Sequence, residues 1–239
     1  MEKIMSIQEC VCAVRKRIDE AAVAAGREPQ EITLCAATKV QSDENIRMAI
    51  AAGISVCGEN RVQELTAHLE NNAYEGADIH FIGHLQTNKV NKVVGKVSLI
   101  HSVDSERLLR AVENQAAKLD VCQDILLEVN IGEEESKGGI SVDEVHALAK
   151  LAQTMPHIRL RGLMAIPPVS TEAGSNRHFF AAMRQLFIDI KGEMAHNQNE
   201  FDCLSMGMSD DFEDAIMEGA TLVRVGTALF GARPPMGMA

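Results

Sequence analysis

Lys39 closes an apolar run, Glu31 to Thr38, and a lysine at the end of a buried strand loses part of its hydration. Desolvation and neighbouring cations both favour the neutral amine, the form that attacks aldehydes. Far along the chain, two short apolar runs, Cys203-Leu204 and Thr221 to Val225, end in small or hydroxyl-bearing residues. Ser205-Met206-Gly207-Met208-Ser209 follows the first and Gly226-Thr227 the second. Glycine lets a backbone approach an anion closely, free N–H groups at a helix start favour negative charge, and Ser209 and Thr227 add hydroxyls. Arg224 stands two residues before Gly226, so strand alternation puts both on one face. A phosphate cup beside a strand-end lysine and an arginine suits a Schiff base with pyridoxal 5′-phosphate (PLP), with Arg224 placed for the pyridine nitrogen. The same residues also read as ordinary Gly/Ser-rich strand-to-helix turns. Lys39 also reads as a snorkelling surface lysine or a point-charge phosphate ligand. A Schiff-base aldolase working on a phosphosugar would use the same lysine and cup, without an arginine facing a pyridine.

For Lys39 to meet residues near position 226, the two ends of the chain must be neighbours. The pattern supplies a way. Strand-sized apolar runs cover Glu31–Thr38, Ile54–Cys57, Asp78–Ile82, Val97–Ser102, Asp124–Val129, Ile158–Ile166, Cys203–Leu204 and Thr221–Val225. Helical spacing separates them: Ser42 to Ala52, from Arg61, Asn88 to Val94, Ser105 to Leu119, Val142 to Thr154, Ser175 to Ala195 and Asp210 to Glu218. Eight strand–helix repeats in 239 residues match a single (β/α)8 TIM barrel of class α/β, with an eight-strand doubly wound sheet as the rival. Polar residues follow nearly every strand (Lys39, Asn60, His84, Asp104, Asn130, Ser209, with Arg224 just inside the last), which favours the barrel, where these loops converge on one face. An extra N-terminal helix, Ile7 to Ala25, precedes the first strand and stands in for a missing eighth outer helix. Residues 1–239 form one domain in this reading.

The composition narrows the partners. A net charge of −11 argues against a nucleic-acid surface and against an anionic membrane. No apolar run reaches spanning length and the N-terminus has no signal-peptide block, so the expected location is cytoplasmic. The six cysteines show no C-x-x-C pair and no zinc spacing, which predicts reduced structural thiols and no metal. Asp210 and Asp211 are expected to favour a helix start and point away from a phosphate.

Seven segments occur in order that resemble one family: ATKV around Lys39, GENRVQE from Gly58, HFIGHLQTNK from His80, SKGG from Ser136, RGLMAI from Arg161, LSMGMSDDF from Leu204 and VRVGTALFG from Val223. Together they resemble the pyridoxal phosphate homeostasis proteins, relatives of the N-terminal barrel of alanine racemase. The resemblance implies a PLP-binding TIM barrel without a C-terminal β-domain, carrying PLP as an internal aldimine on Lys39. It places Asn60 at the ring, Ser209, Gly226 and Thr227 at the phosphate, and Arg224 at the pyridine nitrogen. Met206 or Met208, His84 and Met164 are further contacts with less support. The chain departs from the pattern at Arg61, where many members have tyrosine, and in its GARPPMGMA tail.

The resemblance further implies a role in vitamin B6 and amino-acid homeostasis, holding PLP and delivering it to acceptor enzymes or exchanging it with amino acids, with a monomer as the default. A slow amino-acid racemase is the alternative. Two-base racemisation needs an acid/base on each face of the α-carbon. The single tyrosine, Tyr74, is expected in a polar loop on the face opposite the site, leaving His84 as the other candidate. Lys137, beside the acidic run Glu133-Glu134-Glu135, is a candidate second amine near the mouth.

Overall fold

The computed structural model describes residues 5–134, 138–168, 172, 174–194 and 200–231. Lys137 and the tail from 232 lie outside the described residues. Eight strands alternate with helices: β1 (Thr33–Ala37), β2 (Val56–Glu59), β3 (Asp78–Phe81), β4 (Leu99–Val103), β5 (Gln123–Val129), β6 (Ile158–Ala165), β7 (Cys203–Ser205) and β8 (Leu222–Val225). All neighbours pair in parallel, and β1 pairs with β8. The strands therefore close in sequence order into the expected TIM barrel, not a doubly wound sheet.

The outer layer is α1 (Ile7–Ala24), α2 (Asp43–Ala51), α3 (Val62–Glu70), α4 (Glu106–Leu119), α5 (Val142–Ala152), α6 (Arg177–Glu193), α7 (Phe212–Met217) and α8 (Thr227–Phe230). A six-residue 3-10 segment, Thr87–Lys92, stands where an α-helix is expected after β3. Local chemistry starts several of the helices. Ser6 and Glu9 form a capping box on α1, and Ser42 and Ser105 cap α2 and α4 through their hydroxyls. The eighth outer helix is a single turn, and α1 packs against α7, α8 and α2 around it.

Strand alternation divides the interior in two. Leu34, Ala36, Cys57, Phe81, Ile100 and Val225 join the layer under the helices, while Cys35, Ala37, Val56, Ile82 and Leu222 pack inside the barrel. β2 lies later than the apolar run Ile54–Cys57 predicts, because pairing with β1 and β3 continues through Gly58 and Glu59. A side chain at Gly58 would not fit, since its Cβ would stand 2.7 Å from Cys35 Sγ and 2.8 Å from Ile82 Cδ1. Register shifts interrupt β4 between Ile100 and Val103, and the β5–β6 ladder beside Arg161 and Gly162. Such bulges re-aim side chains without ending a strand.

All six cysteines are free thiols. Burial pushes the thiols of Cys57 and Cys203 up to about 12 and that of Cys35 higher, so they act as small apolar side chains. Among the described residues no helix is long and apolar enough to cross a membrane.

Candidate functional site at the C-terminal barrel mouth

Closure of β1 on β8 brings the end of β1, which Lys39 follows, against the loop after β8. Cys35 pairs with Arg224, and a Cβ built on Gly226 would meet Ala37 Cβ at 3.4 Å. Cys35 and Ala37 are inward positions, and Lys39 follows two residues later, half-buried in the turn after β1. Val40, next to it, has φ of 64°, unusual for a β-branched residue, and its N–H donates to Glu64 Oε2 at 2.9 Å.

Ser209 and the start of α8 are brought together. Ser209 Oγ accepts from Gly226 N at 3.2 Å and from Ala228 N at 3.3 Å. A hydroxyl and two converging backbone N–H groups are the donor set an anion requires. Thr227 is exposed at the first position of that turn. Asp211 stands at the N-cap of the following helix, where its charge favours the helix start, without a side-chain capping hydrogen bond. Its carboxylate braces the loop, accepting from Met208 N at 2.7 Å and Asn176 Nδ2 at 3.0 Å, so α7 begins later than expected, at Phe212.

Below the cup lies Arg224, buried on the inward face of β8. Its Nη1 donates to Ser205 O at 2.9 Å and Ser205 Oγ at 2.5 Å, and its Nη2 to Ala165 O at 2.9 Å. Burial lowers its pKa from the ordinary arginine value, opposed by Cys35 and Glu128. Across the barrel, Glu128 is pushed above the usual carboxylate range by burial and then by Asp104.

The other candidates separate. Asn60 follows β2 at the mouth, and its Oδ1 is buried with no protein partner. Met164 is buried inside the barrel with Leu99 and Leu126. Met206 is not brought inside; it lies in the layer under the helices, whereas Met208 is half-buried in the loop. His84 is exposed, with Nδ1 3.4 Å from Asp104 Oδ2.

Tyr74 lies in the expected connection between α3 and β3. Its ring is buried and its hydroxyl donates to Glu59 Oε1 at 2.9 Å. The same oxygen accepts from Thr38 Oγ1 at 2.5 Å. This outward-facing carboxylate, which joins Thr38, the residue before Lys39, to Tyr74, was not evident from the sequence, where GEN reads only as a polar loop. Also missed were Ser205, His101 and His80, although spacing by two from Leu99 would have turned His101 inward.

Burial pushes His80 down to about 4 and His101 well below its ordinary value, with desolvation the first cause in each. A histidine held neutral contributes stability that is full above its unfolded value near 6.5 and is lost as pH falls toward the folded value. Glu59 and Glu128, both raised by burial, act with the opposite sign. The wild-type protein is therefore expected to lose on the order of 1–2 kcal/mol more than His80→Gln between pH 7 and 5. Urea midpoints at the two values measure this; equal slopes would show that His80 accepts a proton in the folded barrel.

The family model of the alanine racemase N-terminal domain matches residues 13–234 of this closed parallel barrel. The chain is 41% identical over 235 residues to the pyridoxal phosphate homeostasis protein of Aquifex aeolicus, covering 96% of this chain and 99% of that one. A crystal structure of a protein from Bifidobacterium adolescentis superposes with a TM-score of 0.88 at 36% identity, covering 96% and 98% of the two chains. PipY of Synechococcus elongatus, solved with PLP bound, superposes with a TM-score of 0.80 at 31% identity, covering 95% and 100%. The chain belongs to the pyridoxal phosphate homeostasis protein family.

Proposed function

We propose that this chain binds PLP at the C-terminal mouth of its barrel and serves as a holder and donor of it rather than as a racemase. The observation that carries the reading is the β1–β8 closure, which pairs Cys35 with Arg224 and brings Ala37 against Gly226, whose N–H donates to Ser209 Oγ, so that the residue after this end of β1, Lys39, is the amine the reading uses. The residues fit the group. Asn60 presents a buried, unpartnered Oδ1, Gly226 lets the backbone come close, and PLP-bound PipY is a full-length relative. PLP supplies an aldehyde that condenses reversibly with amines and a ring that can draw electrons from the carbon attached to them.

This chain's residues set how much of that chemistry is used. Lys39 is the attaching amine. Ser209 and the N–H groups of Gly226 and Ala228 receive the phosphate, with Thr227 adding a hydroxyl. Arg224 keeps its protons, so a pyridine nitrogen against it stays unprotonated and the ring draws electrons weakly. Exchange of amines at the aldehyde is left, and strong carbanion chemistry is disfavoured. The sequence's single tyrosine is committed to Glu59, in the layer under the helices. Free amines such as amino acids, and acceptor enzymes, are the partners this reading calls for, with the chain acting as a monomer in the cytoplasm.

The test is an absorption spectrum of the purified protein with added PLP, then borohydride reduction and peptide mapping. A visible band and a pyridoxyl group on Lys39 support the reading. Pyridoxal, lacking the phosphate, is expected to be retained at least about tenfold less well, the range of one or two charge-assisted hydrogen bonds. Equal retention would remove the cup. Rapid exchange of the α-hydrogen of alanine in deuterated solvent, lost in Lys39→Ala, would favour a racemase instead.

A further inference from the structure

Beneath the mouth a line of hydrogen bonds crosses the barrel interior from β8 to β3. Arg224 Nη1 donates to Ser205 Oγ on β7. Ser205 Oγ stands 3.0 Å from His101 Nδ1 on β4, and His101 Nε2 stands 3.0 Å from His80 Nδ1 on β3. Ser205 and His101 have no solvent exposure and His80 has 8%.

The direction of this line follows from valence. Arginine only donates. With Arg224 on one side of Ser205 Oγ, the hydroxyl hydrogen needs an acceptor, and among the described residues His101 Nδ1 is the one bonded to it. His101 must then carry its proton on Nε2 and donate to His80 Nδ1, which leaves His80 protonated on its own Nε2. His80 lines a cavity of about 350 Å³ at the opposite end of the barrel, shared with Asp78, Asp124 and Arg161. Four strands thus contribute one side chain each to three hydrogen bonds, all donated in the direction away from Arg224. The register shift in β4, between Ile100 and Val103, falls at His101 and Ser102, where a bulge can re-aim an inward side chain.

We propose that Ser205, His101 and His80 are positioning residues that hold the guanidinium of Arg224 in one orientation toward the bound ring, and so set the ring's electronic state. The inference rests on the PLP-binding reading. Two of Arg224's three hydrogen bonds among the described residues go to backbone carbonyls, which hold it inside the barrel whatever the side chains do. Ser205 Oγ is the one side-chain acceptor among them, and its own orientation depends on His101. Removing the line takes away the one side-chain bond that trims the guanidinium's orientation, without removing its charge. His101→Gln keeps an acceptor and a donor on one planar group and preserves the direction; His101→Leu removes both.

Two measurements test this. In the ligand-free wild type, nitrogen-15 spectra of labelled histidine are expected to show His101 and His80 neutral and protonated on Nε2. In PLP-loaded protein, Ser205→Ala and His101→Leu are expected to keep the borohydride-fixed group on Lys39, shift the visible band, and weaken PLP retention about tenfold, the scale of one buried hydrogen bond to a charge. His101→Gln restores the wild-type band. Circular dichroism and melting curves check that each variant folds. A proton on His101 Nδ1 in the wild type overturns the proposal, as does a wild-type band and retention in folded His101→Leu. A wild type that forms no band at all sinks the binding reading instead, and the nitrogen spectrum still decides the direction of the line.

Discussion

Lys39→Ala is expected to abolish both the visible band of PLP-loaded protein and the pyridoxyl group recovered after borohydride, while the barrel stays folded. The amine is the only atom of this side chain that the reading uses, and Lys39 is half-buried at a strand end, so the change in stability should stay within about 1 kcal/mol. Retention of PLP should fall by about a hundredfold or more, since the phosphate cup and Arg224 remain but the covalent attachment is lost. Lys39→Arg separates attachment from charge. Arginine supplies a cation to the phosphate but stays protonated and cannot condense with an aldehyde. If Lys39 were only a phosphate ligand, Lys39→Arg would hold PLP as well as the wild type, and the wild type would yield no adduct at that position. Recovery of the pyridoxyl group on another lysine, with an unchanged band in Lys39→Ala, would move the site elsewhere.

Gly162→Ala is expected to cost on the order of 4 kcal/mol or more, enough to lower the melting temperature by about 10 °C or prevent soluble expression. A Cβ at this position would stand 1.8 Å from Cys203 O and 2.7 Å from its carbonyl carbon. Both are backbone atoms of the paired strand, so relief requires β6 and β7 to separate. The next pairs in the ladder, Leu163 with Leu204 and Met164 with Ser205, carry that displacement to the hydroxyl beneath Arg224. Gly192→Ala is the matched control. It lies in α6 with nothing within 4 Å of the added carbon, and alanine there should stabilise by about 0.5–1 kcal/mol through helix propensity. Melting curves of the two variants decide the matter; a Gly162→Ala protein as stable as the wild type would mean that the ladder tolerates a separation the packing does not suggest.

Much of this architecture was legible before any coordinates. Strand and helix order follows from runs such as Asp124–Val129 and from the stripe Leu108, Leu109, Val112 and Ala116, because local hydrophobic periodicity reflects which face is buried. Serine caps at Ser42 and Ser105 show in the sequence for the same local reason. Lys39, Ser209, Gly226 and Arg224 could be proposed as a group because barrel closure makes the first and last strands neighbours. Strand limits were less legible. β2 runs on through Gly58 and Glu59, residues without strand propensity, because its partners on both sides hold it there.

By itself, then, the sequence determined the repeat of strands and helices, the inward parity of Arg224 with Gly226, and the family, since each depends on residues near one another along the chain. Only the tertiary structure decided that the sheet closes on itself, that Met206 faces the helices, and that Tyr74 is buried on Glu59. It alone joined Arg224, Ser205, His101 and His80, which lie on four strands up to 144 positions apart (224 − 80). The reason is physical: alternation states which side of a strand a residue faces, but a hydrogen bond across a barrel depends on strand order, register and bulges. Those are set by the packing of the whole chain at once.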